Sequence, residues 1–108
     1  MVDLKNSYHD DYKKSVDVTY NKYTKSFEIR VYDKRILNDL DKKINDSNGN
    51  TPDLDKLLNK MKQSSDYVDD KLGKYKHSVQ LKSNNDDTVI YYIAYQGKLE
   101  NNGKIKKQ

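Results

Sequence analysis

The chain has no cysteine and no tryptophan, one phenylalanine (Phe27), one proline (Pro52) and two glutamates among its 108 residues. Without cysteine there is no disulfide framework, no thiolate nucleophile and no cysteine-ligated zinc. The compartment stays open, because an exported bacterial domain can lack disulfides. No apolar run approaches the ~18 residues a membrane span requires, and Met1–Val2–Asp3 does not open a signal peptide. Export therefore requires a targeting segment beyond the sequence given. Glu28 and Glu100 lie far apart and do not suggest a carboxylate pair for acid–base work. There is no G-x-S-x-G elbow, no phosphate-binding glycine loop and no dinucleotide fingerprint. His9 and His77 stand alone, without metal-ligand spacing. The expectation is a protein that is not an enzyme and holds no cofactor or metal.

What is present is polar: 35% of residues are charged, 33% are hydrophobic, and the mean hydropathy is −1.18. The apolar residues are nevertheless clustered and periodic, which argues for a folded body rather than a disordered chain. Aspartate outnumbers glutamate 15 to 2. The formal charge is +4, but residues 1–73 hold 14 basic and 14 acidic side chains and cancel. Most of the excess lies in Lys98, Lys104, Lys106 and Lys107, opposed only by Glu100. A neutral body with a basic tail is poor footing for sequence-specific nucleic-acid binding.

Hydrophobic spacing divides the chain. In 15–20 and 27–31, Val16, Val18 and Tyr20, then Phe27, Ile29 and Val31, alternate with polar residues and predict an antiparallel hairpin. From Asp33, a suitable N-cap, Ile36, Leu37, Leu40 and Ile44 follow helical spacing. Thr51 offers a second cap, with Pro52 at the first helical position. Leu54, Leu57, Leu58, Met61, Ser65, Val68 and Leu72 then form one stripe, closed by Gly73. This predicts a single helix over 52–72, weakest at Ser64–Ser65. The period returns to two at 75–82, where Tyr75, His77, Val79 and Leu81 share a face. Asn84–Asn85–Asp86–Asp87 reads as a turn, 88–95 as a strand apolar on both faces, and Gln96–Gly97 as its end. The expected fold is α+β, β-β-α-α-β-β, with a four-stranded antiparallel sheet and two helices on one face. Its core comprises Val16, Val18, Phe27, Ile29, Val31, Leu37, Leu40, Ile44, Leu54, Leu57, Leu58, Met61, Leu72, Val79, Leu81, Ile90 and Ile93. Residues 1–14 are ambiguous, although Leu4, Tyr8 and Tyr12 keep helical spacing; 15–99 form the single domain, and 100–108 a flexible basic tail.

The stretch NDSNGNTPDLD at 45–55 has the composition of a calcium loop. With Gly49 at the sharp-turn position, Asp46, Asn48 and Asp55 take ligand positions, but Ile44 falls where a carboxylate is required. Starting from Asp46 puts Thr51 at the glycine position and Leu57 at the bidentate one. Neither register works, and the stretch reads as a helix stop followed by a helix start.

Ten tyrosines are the most distinctive feature, and three of them crowd one strand. If Ile90 faces the helices, Val89, Tyr91, Ile93 and Tyr95 line the other side of the sheet. Such a row can stack on sugar rings or bases, or dock a partner, unless residues 1–14 cover it. Tyr91, Tyr95 and Lys98 are the candidate partner-binding residues.

The segments SVDVTYNKYTKSFEIRVYD and HSVQLKSNNDDTVIYYIAYQGKLE resemble small exported or lipid-anchored domains of unknown function in lactobacilli and related Gram-positive bacteria. The resemblance lies in strand pattern and style. It implies a cell-surface location, with membrane anchoring through a segment outside this sequence, and transfers no functional residues. The expectation is an extracytoplasmic binding module for an anionic cell-wall polymer, a glycan or a protein. The alternative is a small cytoplasmic protein, phage-derived in origin, that binds nucleic acid or blocks a protein partner.

Overall fold

A computed structural model describes residues 4–45, 49–74 and 76–101. The elements run α1 (Leu4–Tyr12), a 3-10 turn (Lys13–Ser15), β1 (Val16–Asn21), β2 (Ser26–Val31), α2 (Lys34–Asn45), α3 (Pro52–Leu72), β3 (Ser78–Lys82), β4 (Ile90–Tyr95) and β5 (Lys98–Asn101). The class is α+β. Among the described residues the sheet has five strands in the order β1-β2-β3-β4-β5, and three helices accompany it. The expected four antiparallel strands and two helices are corrected in three places.

The first correction is the direction of β3, which runs parallel to β2, with Phe27 opposite Val79 and Ile29 opposite Leu81. Helices α2, of 12 residues, and α3, of 21, form the crossover between them. A crossover of that size can carry the chain back to the starting end of β2, as a parallel pair requires. There the Ser78 N–H donates to the Lys25 carbonyl at 3.2 Å. The second correction is β5. Gln96 and Gly97 have φ of 56° and 74°, both positive, as a two-residue turn matched to strand twist requires. They fold Lys98–Asn101 back on β4 rather than ending the sheet. The third is α1, formed by residues that the sequence left ambiguous; its Leu4 and Tyr8 enter the core.

One hydrophobic cluster joins all three helices to one face of the sheet. It contains Val16 and Val18, Phe27, Ile29 and Val31, Ile36 and Leu40, the α3 stripe from Leu54 to Val68, Val79 and Leu81, and Tyr92 and Ala94. Leu37, Ile44 and Leu72, expected in the core, are only partly buried against it, and Ile90 and Ile93 are half-buried. Tyr92 and Ala94 take the core positions on β4. Helix α3 is continuous through Ser64–Ser65 because neither hydroxyl is left unsatisfied. Ser64 Oγ donates to the Lys60 carbonyl at 2.7 Å and meets the Tyr8 hydroxyl at 2.8 Å. Ser65 Oγ donates to the Lys62 carbonyl and accepts the Gly97 N–H at 2.9 Å. The serines tie α3 to α1 and to the β4–β5 turn.

Asp33 caps α2 as expected, accepting the Arg35 and Ile36 N–H groups at 2.9 and 3.4 Å. Thr51 makes no capping bond to the α3 backbone. That role falls to Asp39, buried on α2, whose Oδ2 accepts the N–H groups of Asp53 and Leu54 at 2.8 and 3.0 Å. Thr51 Oγ1 donates instead to Asp55 at 3.1 Å. Asp46 and Asn48 of the acidic gap, Tyr75, and residues 102–108 of the basic tail lie outside the described residues. No helix among the described residues is long and apolar enough to cross a membrane.

Candidate functional site

The register fixes what the second face of the sheet presents. One row across it reads Thr19, Glu28, Gln80, Ile93, Glu100; the next reads Asp17, Arg30, Lys82, Ile90. The hydrophobic cluster and the helices pack on the opposite side, so this face is built mainly from strand side chains. They are joined by Asp87 of the loop after β3 and, at the β1 edge, by Lys5 and His9 of α1 against Asp17.

Its centre is a four-member charge network. Lys82 Nζ donates to Glu28 Oε2 at 3.2 Å, and Arg30 Nη2 reaches Glu28 Oε1 at 3.3 Å and Asp87 Oδ1 at 2.6 Å. Arg30 Nη1 also donates to Thr19 Oγ1 at 3.1 Å, and Asn21 Nδ2 to Glu28 Oε2 at 3.4 Å. Glu28 and Lys82 are 8% and 9% exposed, although no helix of the described residues packs on this face. Their neighbours and the loop after β3 shield them. That loop is held by its own side chains: Ser83 Oγ accepts the N–H groups of Asn85 and Asp86, and Asp86 Oδ1 accepts the N–H of Thr88. Asn84 Nδ2 donates to the Val31 carbonyl at 2.7 Å, which anchors the loop above the end of β2. Asp87 is thereby delivered to Arg30, which holds its carboxyl below the usual 3.8. Two positive and two negative groups sum to zero, so the network has no net charge to offer a polyanion.

Beside it lies an apolar strip. Ile90 and Ile93 are half-buried, Tyr95 is 36% exposed, and Lys98 is exposed and paired across the hairpin with Tyr95. Tyr91 is elsewhere. The β3–β4 register shifts between Leu81, opposite Tyr92, and Lys82, opposite Ile90. Tyr91 is the extra residue of this bulge, and it packs partly buried against the core cluster. A bulge breaks the alternation that the row Val89–Tyr91–Ile93–Tyr95 depends on. Of the three candidate residues, the structure brings Tyr95 and Lys98 together and turns Tyr91 to packing.

A second aromatic group went unread in the sequence. Tyr20 and Phe27 have ring centroids 4.8 Å apart, with His77 6.0 and 6.3 Å from them, and the Tyr20 hydroxyl is 3.2 Å from His77 Nε2. Burial depresses the imidazole below its ordinary 6.5, with help from Lys25 and Lys76 and against Asp69. His77 Nδ1 and Asp69 Oδ1 are buried without hydrogen-bond partners among the described residues. Nothing in 77–81 beyond its alternation signals this group, because its members come from three strands' ends.

Two grooves are lined by described residues. One of about 320 Å³ lies between α1 and α3, where Lys60 is bound to Asp11 at 2.6 Å and to Ser7. The other, of about 330 Å³, is lined by Asp66, Asp69, Asp70, Lys74 and Gln96. No group of three or more metal-ligating side chains forms among the described residues. Comparison with protein-family models, with curated proteins and with solved structures gives no match.

Proposed function

We propose that this chain is a non-enzymatic binding module acting outside the cytoplasm, and that the helix-free face of its sheet receives a cell-wall glycan or anionic wall polymer. The observation that carries the reading is the strip of Ile90, Ile93, Tyr95 and Lys98 beside a charge network that is already neutral. Sugar rings present C–H faces that stack on tyrosine, with hydroxyls or phosphates free to meet a rim cation. Tyr95 and Lys98 supply that combination side by side. Arg30 and Lys82 are engaged by Glu28 and Asp87, which argues against a phosphate-backbone interface on the folded body. The location outside the cytoplasm rests on the resemblance in strand pattern described above.

The test is an amide NMR titration with wall teichoic-acid and peptidoglycan fragments at physiological salt. Shifts centred on Ile93, Tyr95 and Lys98, weakened about tenfold by Tyr95→Ala, are expected; base and sugar stacking on aromatics is typically lost on that scale. Shifts confined to residues 102–108 would show unselective attraction to a basic segment and remove the sheet face as the site. Tight selective DNA binding that survives deletion of that segment would replace this reading with the cytoplasmic nucleic-acid alternative.

A further inference from the structure

The two edges of the sheet are treated differently. At the β1 edge, α1 packs Leu4 and Tyr8 into the core, and Lys5 Nζ and His9 Nε2 each lie 3.6 Å from Asp17 Oδ1. A helix therefore guards that strand. At the other edge β5 has no further strand beside it among the described residues. Unpaired strand edges are templates for pairing, and proteins usually cover or charge them.

The chemistry of β5 names the partner. The two-residue turn makes Tyr95–Lys98 the closing, hydrogen-bonded pair, and alternation makes Ile93–Glu100 the next. The N–H and C=O of Leu99 then point away from β4, toward the open edge. A two-fold axis that sets two copies of β5 antiparallel in one sheet must pass through a residue, because paired positions share a face. Centring on Lys98 opposes two lysines, and centring on Glu100 opposes two glutamates. Centring on Leu99 places Lys98 of each copy opposite Glu100 of the other, twice. It also lets the two Leu99 residues exchange both backbone hydrogen bonds. Lys98 and Glu100 are exposed and make no ion pair with a described residue. Edge charges of one sign hold copies apart; here the signs alternate at the spacing that self-pairing needs.

We propose that β5 pairs with β5 of a second copy about an axis through Leu99, forming a continuous ten-stranded sheet with all helices on one side. The helix-free faces of the two copies then join, and the two Tyr95–Lys98 strips flank the axis. Each copy contributes a strand of four residues, so the association is weak and is read at micromolar to millimolar protein.

Sedimentation velocity of the full chain across that range tests the proposal, with Lys98→Glu, Glu100→Lys and the double exchange beside it. Concentration-dependent dimers are expected for the wild type. Each single reversal, which sets like charges opposite each other at two symmetry-related positions, weakens them about tenfold; the double exchange restores them. Amide exchange at Leu99 in the wild type slows as protein concentration rises, a readout that needs no variant. A monomer throughout with Leu99 exchange independent of concentration overturns the proposal. So does self-association indifferent to the reversals, or a double exchange that fails to recover.

Discussion

At the residue scale, the most consequential side chains are those that share Glu28. It accepts from Lys82, Arg30 and Asn21 at once, and both it and Lys82 are nearly buried. Removing one partner of such a pair leaves the other desolvated and unmatched, which typically costs ~3 kcal/mol or more, while an apolar pair of similar volume is often tolerated. Glu28→Gln is therefore expected to lower stability by about 3 kcal/mol. The double variant Glu28→Gln/Lys82→Met should recover most of that loss. Urea denaturation of the single and double variants measures the coupling; strictly additive effects would show that the two charges do not interact.

At the element scale, α3 depends on its neighbour. Its first turn has two N–H groups bound by Asp39 from α2, across a connection that includes the acidic gap. The cap thus does two things: it satisfies orphan donors and it fixes how α2 meets α3. Losing a capping side chain costs ~0.5–2 kcal/mol, and the burial of Asp39 places it at the upper end. Asp39→Ala is expected to lower the unfolding free energy by about 2 kcal/mol, and Thr51→Ala by clearly less. Thermal melts of both compare them directly. Equal losses would mean that the local cap carries α3 after all.

At the scale of the whole molecule, stability should fall with acid in two stages. His77 is held neutral in the folded state, below its ordinary 6.5, by burial first and then by Lys25 and Lys76. The unfolded chain takes up the proton at higher pH, so this contribution is complete above about 6.5 and declines as pH falls from there toward the depressed folded value. Asp11, Asp33 and Asp87 are shifted the same way for a different reason: Lys60, Arg35 and Arg30 hold each of them below 3.8. Their contribution is present above 3.8 and is lost as pH drops through the lowered values. Asp11 and Asp87 are exposed, so their steps are small and salt-sensitive, whereas the Asp33 side chain is largely shielded and its step is screened less. A melting-temperature profile should show a shallow decline around 6.5 that His77→Phe removes, and a second decline below 3.8 that high salt reduces.

The sequence by itself determined the elements whose signal is local. Alternation at Val16–Val18 and Phe27–Val31 gave the first hairpin, and the three- and four-residue steps from Leu54 to Val68 gave α3 and its buried stripe. Asp33 was legible as a cap because it bonds residues two and three positions on. Tyr95 and Lys98 were named from the sequence as candidate partner-binding residues without their exposure being legible, and the structure sets them opposite each other across the β4–β5 hairpin. Only the tertiary structure decided the rest. Whether β3 runs parallel or antiparallel to β2 depends on where the crossover of α2 and α3 leaves the chain, which no window of residues encodes. The Asp39 cap spans 14 and 15 residues and the Lys82–Glu28 pair spans 54, so neither has a local pattern. Tyr91 turned inward because a bulge inserts one residue between Tyr92 and Ile90, and a period of two cannot carry its phase through an insertion. Local periodicity reports which face a residue prefers; what stands opposite that face is set by chain segments that the period does not contain.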